Sequence, residues 1–202
     1  QTLQASYGLH PLAIEDAAKG EQLPKLDVFG DQLFVVARTA WLEEGSIRYG
    51  ETAIFVGHSH IISVRRTSSR GHADLRIQLE SSPTLLSHGV DYVLHAILDF
   101  IVDGYAPIID MIDGDVQEME ERAIARFPEQ STIRRIFRLR RQLLRFEFVV
   151  SPLEDVCEKL LFEDLPGIDP ATHVWFRDVL DHVRRAARRI RGLRETLASI
   201  VE

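Results

Sequence analysis

The sequence predicts an α+β fold: an N-terminal α/β domain with a mainly antiparallel sheet, followed by long helices forming a hairpin and a stalk. Three observations carry this. Short apolar runs separated by turn residues fill the first part of the chain, to about residue 85. Helical spacing takes over at Gly89 and persists. In the last stretch, 171–202, Phe176, Val179, Val183, Ala186, Ile190, Leu193, Leu197 and Ile200 follow in steps of 3 or 4, an apolar seam of period 3.5. The expected division is an α/β head over 1–85 and a helical domain over 86–202, whose stalk helix occupies about 171–202.

Taken in order, Gly8–Gly20 reads as a short helix, with Pro11 in its first turn and Gly20 as its stop. Lys25–Phe29 and Gln32–Trp41 read as strands joined by a Gly30-Asp31 hairpin turn. Glu43-Glu44-Gly45-Ser46 forms a second turn, and Glu51–Val56 and His60–Arg66 are two further strands. Gly71–Ser82 is expected to be helical. From Leu94 to Met119 apolar residues recur at helical spacing, with a kink expected at Pro107. Phe127-Pro128 breaks that helix, and Ser131 starts another. Ser151-Pro152-Leu153-Glu154 matches a capping box at a restart that runs to Phe162. The loop Leu165–Pro170 then leads into the stalk, which at ~1.5 Å per residue would extend about 48 Å. A single seam asks for partner helices, from this chain or from copies of it. No Gly, Asn or Pro closes the last helix, which reads as one that continues.

The chain has 202 residues, a net charge of −7 and one cysteine. The charge argues against general nucleic-acid binding, which rests on basic surfaces. A lone Cys157 excludes an intramolecular disulfide framework and a multi-cysteine zinc site, and reads as a small core residue. Gln1 onward is polar without a basic start, which reads as domain interior and not as a signal peptide. Tyr92–Ile112 imitates a membrane span. Asp99, Asp103 and Asp110 would each cost roughly 2.5–3.5 kcal/mol near a bilayer centre, and about ten apolar residues return roughly 0.3–0.6 kcal/mol each. The balance favours a helix of the protein interior.

Enzyme signatures are missing: there is no phosphate-binding glycine loop, no nucleophile elbow and no His-Glu-x-x-His. This argues against an enzyme. The acidic residues are more informative. Asp99 and Asp103 stand one helical turn apart, Asp178 and Asp181 lie on the final helix, and Glu43 and Glu44 occupy a sheet turn. Carboxylates suit hard cations such as Mg2+, which needs only one or two with water completing the shell. The competing reading is a solvated face or ion pairs, Asp181 having Arg184 and Arg185 at i+3 and i+4. His58 and His60 share a turn, and His95 lies four residues before Asp99, a half-site by itself. Arg184, Arg185, Arg188, Arg189, Arg191 and Arg194 avoid the apolar seam. They read as a solvated face or as a basic band near phospholipid headgroups or a pore entrance. Arg134, Arg135, Arg138, Arg140 and Arg141 are expected to pair with Glu118, Glu120 and Glu121 across the hairpin.

Several stretches, in order, resemble the cytoplasmic domain of the CorA-type magnesium channel family. They are Leu9-His10-Pro11-Leu12 with Glu15-Asp16, Pro24-Lys25, and Leu33-Phe34-Val35-Val36. Asp91-Tyr92, Ile97-Leu98-Asp99, Val102-Asp103-Gly104-Tyr105, Ser151-Pro152-Leu153-Glu154 and Phe176–His182 follow. The resemblance implies a homopentamer on the cytoplasmic face of the cell (inner) membrane, with the stalk running into membrane helices that this sequence does not contain. It implies Mg2+ bound between subunits by Asp178 and by Glu43 or Glu44 of a neighbour. Asp99 and Asp103 would belong to a second site, and Glu202 to an acidic ring at the pore entrance. Co2+, Ni2+ or Zn2+ are further candidate ions. A ZntB-like zinc transporter shares the architecture, and His58, His60, His95, His173 and His182 keep that alternative open, as does a helical scaffold used only for oligomerisation.

Overall fold

The computed structural model describes residues 2–67, 71–125 and 129–200, so the expected break at Phe127-Pro128 and the expected pore-entrance residue Glu202 lie outside the described residues. Two short helices, α1 (Thr2–Tyr7) and α2 (Pro11–Lys19), precede the sheet. The first of these had no counterpart in the sequence reading. His10 caps α2, its Nδ1 accepting from the Leu12 amide at 3.2 Å. Strands β1 (Lys25–Phe29), β2 (Gln32–Glu43), β3 (Ser46–Val56) and β4 (Ile61–Arg66) form an antiparallel meander in the order of the chain.

The middle of the sheet is covered on both faces, so its strands are apolar without strict alternation. Leu33, Val35, Ala37, Ile54 and Val56 join the main core with the long helices. Phe34, Val36, Ala53 and Phe55 point the other way and pack on Leu9, Ala13 and Ala17 beside α2. β3 starts at Ser46, five residues before the expected Glu51. The extension is supported from outside the sheet: the Ile47 amide donates to Gln142 Oε1 at 2.8 Å, and Tyr49 packs on the Phe146 ring.

Beyond the sheet come α3 (Ala73–Glu80), α4 (Pro83–Leu86), α5 (Val90–Asp103), α6 (Ala106–Ala125), α7 (Gln130–Val150), α8 (Pro152–Phe162) and α9 (His173–Ser199). Val90–Ile124 is long and apolar enough to cross a membrane by length and composition, with hydropathy 1.4, yet 50% of its apolar window is buried in the fold. The break falls at Gly104-Tyr105, just ahead of Pro107. Proline removes the amide that would bond Asp103 and disfavours helix in the residue before it. Tyr105 turns inward there, fully buried, its hydroxyl donating to the Arg38 carbonyl.

Two local expectations need correction. Ser151 is itself helical (φ −56°, ψ −38°) and makes no side-chain cap, because α7 and α8 meet with only this residue between them. Among the described residues, Arg135 pairs across the α6–α7 hairpin with Asp115 at 2.9 Å, whereas Glu118 pairs within its own helix with Arg122. Along α9 the seam residues Phe176, Val179, Val183, Ala186, Ile190, Leu193 and Leu197 are buried, together with Leu180 and Ala187. They pack against α5, α6, α7 and α8 of the same chain. Cys157 is a buried core residue, its thiol pushed up to about 12 chiefly by burial.

Candidate metal centre

The start of α5 and the approach to α9 are tied together by one buried carboxylate. Asp91 Oδ1 accepts from the Tyr92 amide at 2.8 Å and Oδ2 from the Asp169 amide at 3.0 Å. A carboxylate that is 3% exposed is tolerable because amide donors occupy both oxygens. Trp175 sits edge-on to Tyr92 and His88, with ring centroids 4.7 Å apart in each case, and fixes the first turn of α9 against α5.

This registration brings two i, i+4 pairs face to face. On α5 the core side is taken by Leu94, Leu98, Ile101 and Val102, which leaves Asp99 and Asp103 at the edge. On α9 the core side is taken by Phe176, Val179, Leu180 and Val183, leaving Asp178 and His182 at the facing edge. His182 Nδ1 lies 3.6 Å from Asp99 Oδ1 and 3.9 Å from Asp103 Oδ1, and its Nε2 lies 3.8 Å from Asp178 Oδ1. One donor atom each from Asp99, Asp103 and His182 falls within 4.8 Å of the others.

Ligands in cis positions around an ion with bonds of roughly 2.1 Å stand about 3 Å apart, so modest rotamer adjustment closes this set onto a small divalent cation. Asp99 Oδ1 is buried and without a hydrogen-bond partner, and a cation would satisfy it. Burial, then the neighbouring Asp103 carboxylate, push the Asp99 carboxyl above its ordinary range, while His182 opposes them. Asp103 and Asp178 are more open, their side chains 63% and 64% exposed, which leaves room for water or for a ligand from outside the chain.

The other expected residues do not converge here. Glu43 sits at the exposed end of the β2–β3 hairpin and pairs with Arg48 at 3.0 Å; Glu44 is in the turn with φ 50°. Asp181 is exposed, and Arg184, its expected partner, instead grips Glu154 (2.6 Å) and Glu158 on α8. His60 lies over Gly57, where an added Cβ would meet its ring at 2.2 Å, and against Tyr7; its buried Nε2 lacks a hydrogen-bond partner, but among the described residues it belongs to no cluster of three possible ligands. His95 packs between Tyr92, Trp175 and Phe176, and burial lowers its pKa with partial opposition from Asp178.

His182 was not among the candidate ligands for magnesium, yet it is central to the cluster. The signal was its i+4 spacing from Asp178, which matches that of Asp99 and Asp103.

The sequence profile of the CorA-like Mg2+ transporter protein family matches residues 1–202. The cobalt/magnesium transport protein CorA of Thermotoga maritima is 24% identical over 199 residues, 97% of this chain and 56% of that protein. The chain thus spans little more than half of that relative. The soluble domain of CorA from Methanocaldococcus jannaschii superposes with a TM-score of 0.81 at 19% identity, covering 98% of this chain and 80% of the other. The cytoplasmic domain of ZntB from Vibrio parahaemolyticus does so with 0.78 at 12% identity, covering 98% and 79%.

Proposed function

The chain belongs to the CorA-like Mg2+ transporter protein family, and from that premise we propose that it is the cytoplasmic, metal-sensing part of a divalent-cation transporter or channel. The observation that carries the reading is the meeting of Asp99, Asp103 and Asp178 around His182 at the α5–α9 edge. Divalent cations bound there offset the mutual repulsion of the carboxylates. In the assembled homopentamer, Asp178 on one subunit and Glu43 or Glu44 on its neighbour share an ion, and Asp181 lines the same exposed side of the stalk.

Occupied sites hold the subunits in a symmetric closed state. When cytoplasmic Mg2+ falls, the acidic surfaces repel and the pore opens, a shift that requires tighter binding to the closed state than to the open one. The head (1–85) supplies the neighbour's carboxylates and the helical part (86–202) supplies the stalk, at the cytoplasmic face of the inner membrane. Glu202 belongs to an acidic ring at the pore entrance. The role is transport and its regulation, without catalysis.

The test is Asp178→Ala in the full-length protein, read as inhibition of uptake by internal Mg2+. Weakened inhibition is expected, and unchanged inhibition overturns the assignment. The imidazole of His182 favours a second reading, because nitrogen ligands suit Co2+, Ni2+ and Zn2+ better than Mg2+. Metal-dependent protection of the full-length protein from proteolysis, compared for Mg2+, Co2+ and Zn2+, separates the two. Stronger protection by Zn2+, lost in His182→Ala, would move the protein to the zinc branch.

A further inference from the structure

The arginines of α7 that do not pair across the hairpin gather on a different part of the surface. A groove of about 480 Å³ runs between α7 and the end of α9, with Arg140, Arg141 and Leu144 on one wall and Arg191, Arg194 and Glu195 on the other. A second groove of about 310 Å³ lies between α7 and the β2–β3 hairpin and is lined by Arg48, Tyr49, Arg138, Arg141 and Arg145. Arg141 lines both, so the two grooves adjoin at this residue.

Among the described residues few carboxylates reach this belt, Glu195 on the wall of the first groove being one of them. Glu147 takes Arg191 (3.5 Å) and Arg194, and Arg48 is held by Glu43. Among the described residues, no carboxylate pairs with Arg138, Arg140 or Arg141. The Arg145 guanidinium lies 5.3 Å from the centroid of the Tyr49 ring, and the buried Tyr49 hydroxyl has no hydrogen-bond partner. Gln142, on the wall of the second groove, accepts from the Ile47 amide and donates to the Gly45 carbonyl, tying the hairpin to α7. In a chain of net charge −7 such a concentration of unpaired guanidinium groups stands apart from the overall balance.

We propose that the two grooves joined at Arg141 form a binding site for clustered phosphate groups, either a free polyphosphate anion or phospholipid headgroups. Guanidinium forks bind phosphate oxygens in bidentate fashion, and several of them gathered along one helix favour a compact multiple anion over simple monovalent ones. The site is separate from the Asp99–His182 cluster and stands whether or not that cluster binds metal.

The test uses the 202-residue chain at physiological ionic strength. Calorimetric titration with sodium tripolyphosphate should show a single site, and Arg140→Gln/Arg141→Gln should weaken it by about tenfold or more. Arg134→Gln, exposed on the same helix outside both grooves, should leave the affinity unchanged. Circular dichroism on both variants checks that the fold is retained. Flotation with phosphatidylcholine vesicles, with and without about one fifth phosphatidylserine, identifies the source. Binding of tripolyphosphate alone marks a soluble ligand, and groove-dependent binding of the anionic vesicles alone marks headgroups. Binding to neither probe overturns the proposal, as does equal weakening by Arg134→Gln. A change in association state on Arg140→Gln/Arg141→Gln without phosphate binding would assign the arginines to a contact between copies, and also overturns it.

Discussion

The surroundings of Asp99 disfavour its charged form. Its carboxyl is half-buried, one oxygen lacks a hydrogen-bond partner, and a second carboxylate lies one turn away, so its pKa is raised from the ordinary 3.8. For an acid raised in the fold, the unfolded chain loses its proton first as pH rises. Folding therefore loses stability through that window, and the loss persists at neutral pH. Asp99→Asn is expected to raise the thermal midpoint of the metal-free chain at pH 7 and to weaken Mg2+ binding. The gain in midpoint should vanish below about pH 3.8, where folded and unfolded chains are protonated alike. Melting curves with a chelator and with added Mg2+ check both halves, and an unchanged midpoint at pH 7 would show that the burial of Asp99 carries no cost. The closeness of Asp99 and Asp103 is legible in the sequence as an i, i+4 pair, whereas Asp178 is singled out by the family resemblance and not by its spacing. The place of His182 among these carboxylates was not legible, because it depends on the register of two helices separated by 70 or more residues. Nor was the Arg38–Glu51 pair (3.3 Å), a buried cross-strand contact that only the pairing of β2 with β3 creates.

Among the elements, α9 determines how the others pack. Its moment of assembly is intramolecular: Phe176, Val179 and Val183 are fully buried among helices of the same chain. Phe176→Ala removes a whole ring from that contact and is expected to cost about 3–5 kcal/mol of stability. Denaturant unfolding checks this, and a loss below about 1 kcal/mol would mean that the first turns of α9 are not part of the cooperative core. The period of the seam was plain in the sequence, since period is a local property. Its occupant was not, because one stripe fits a neighbouring copy as well as its own chain. Similar reasoning explains the Ser151 junction. Ser-Pro-Leu-Glu carries the signature of a helix start, but a signature cannot say whether the preceding helix has already ended. Here α7 runs straight up to it, so Ser151 donates its own amide to the Glu147 carbonyl at 2.8 Å.

At the scale of the molecule, the fold excludes protons from two imidazoles. Burial lowers His72 and His95 below the ordinary 6.5, with Arg65 adding to the effect at His72. The unfolded chain takes up protons that the folded chain refuses, so stability is expected to fall as pH drops from 7 through 6 and toward 5. Melting temperatures across that range check the sign. His72→Gln should flatten the slope, and a steeper slope in that variant would show the histidine to be protonated in the fold. The sheet's place between two apolar layers was partly legible from its uninterrupted apolar runs, but α1 escaped notice because six residues carry too little periodicity. The buried seam has one more consequence. With its apolar stripe covered, α9 has mostly acidic and basic side chains to offer another copy, Val174 being its exposed large apolar residue. Association through such sides should carry a small heat-capacity change and weaken steeply with added salt. On the function proposed above, a divalent ion bridging carboxylates would act like a variable valence between subunits, setting how firmly they hold by its concentration and not by any new surface removed from water.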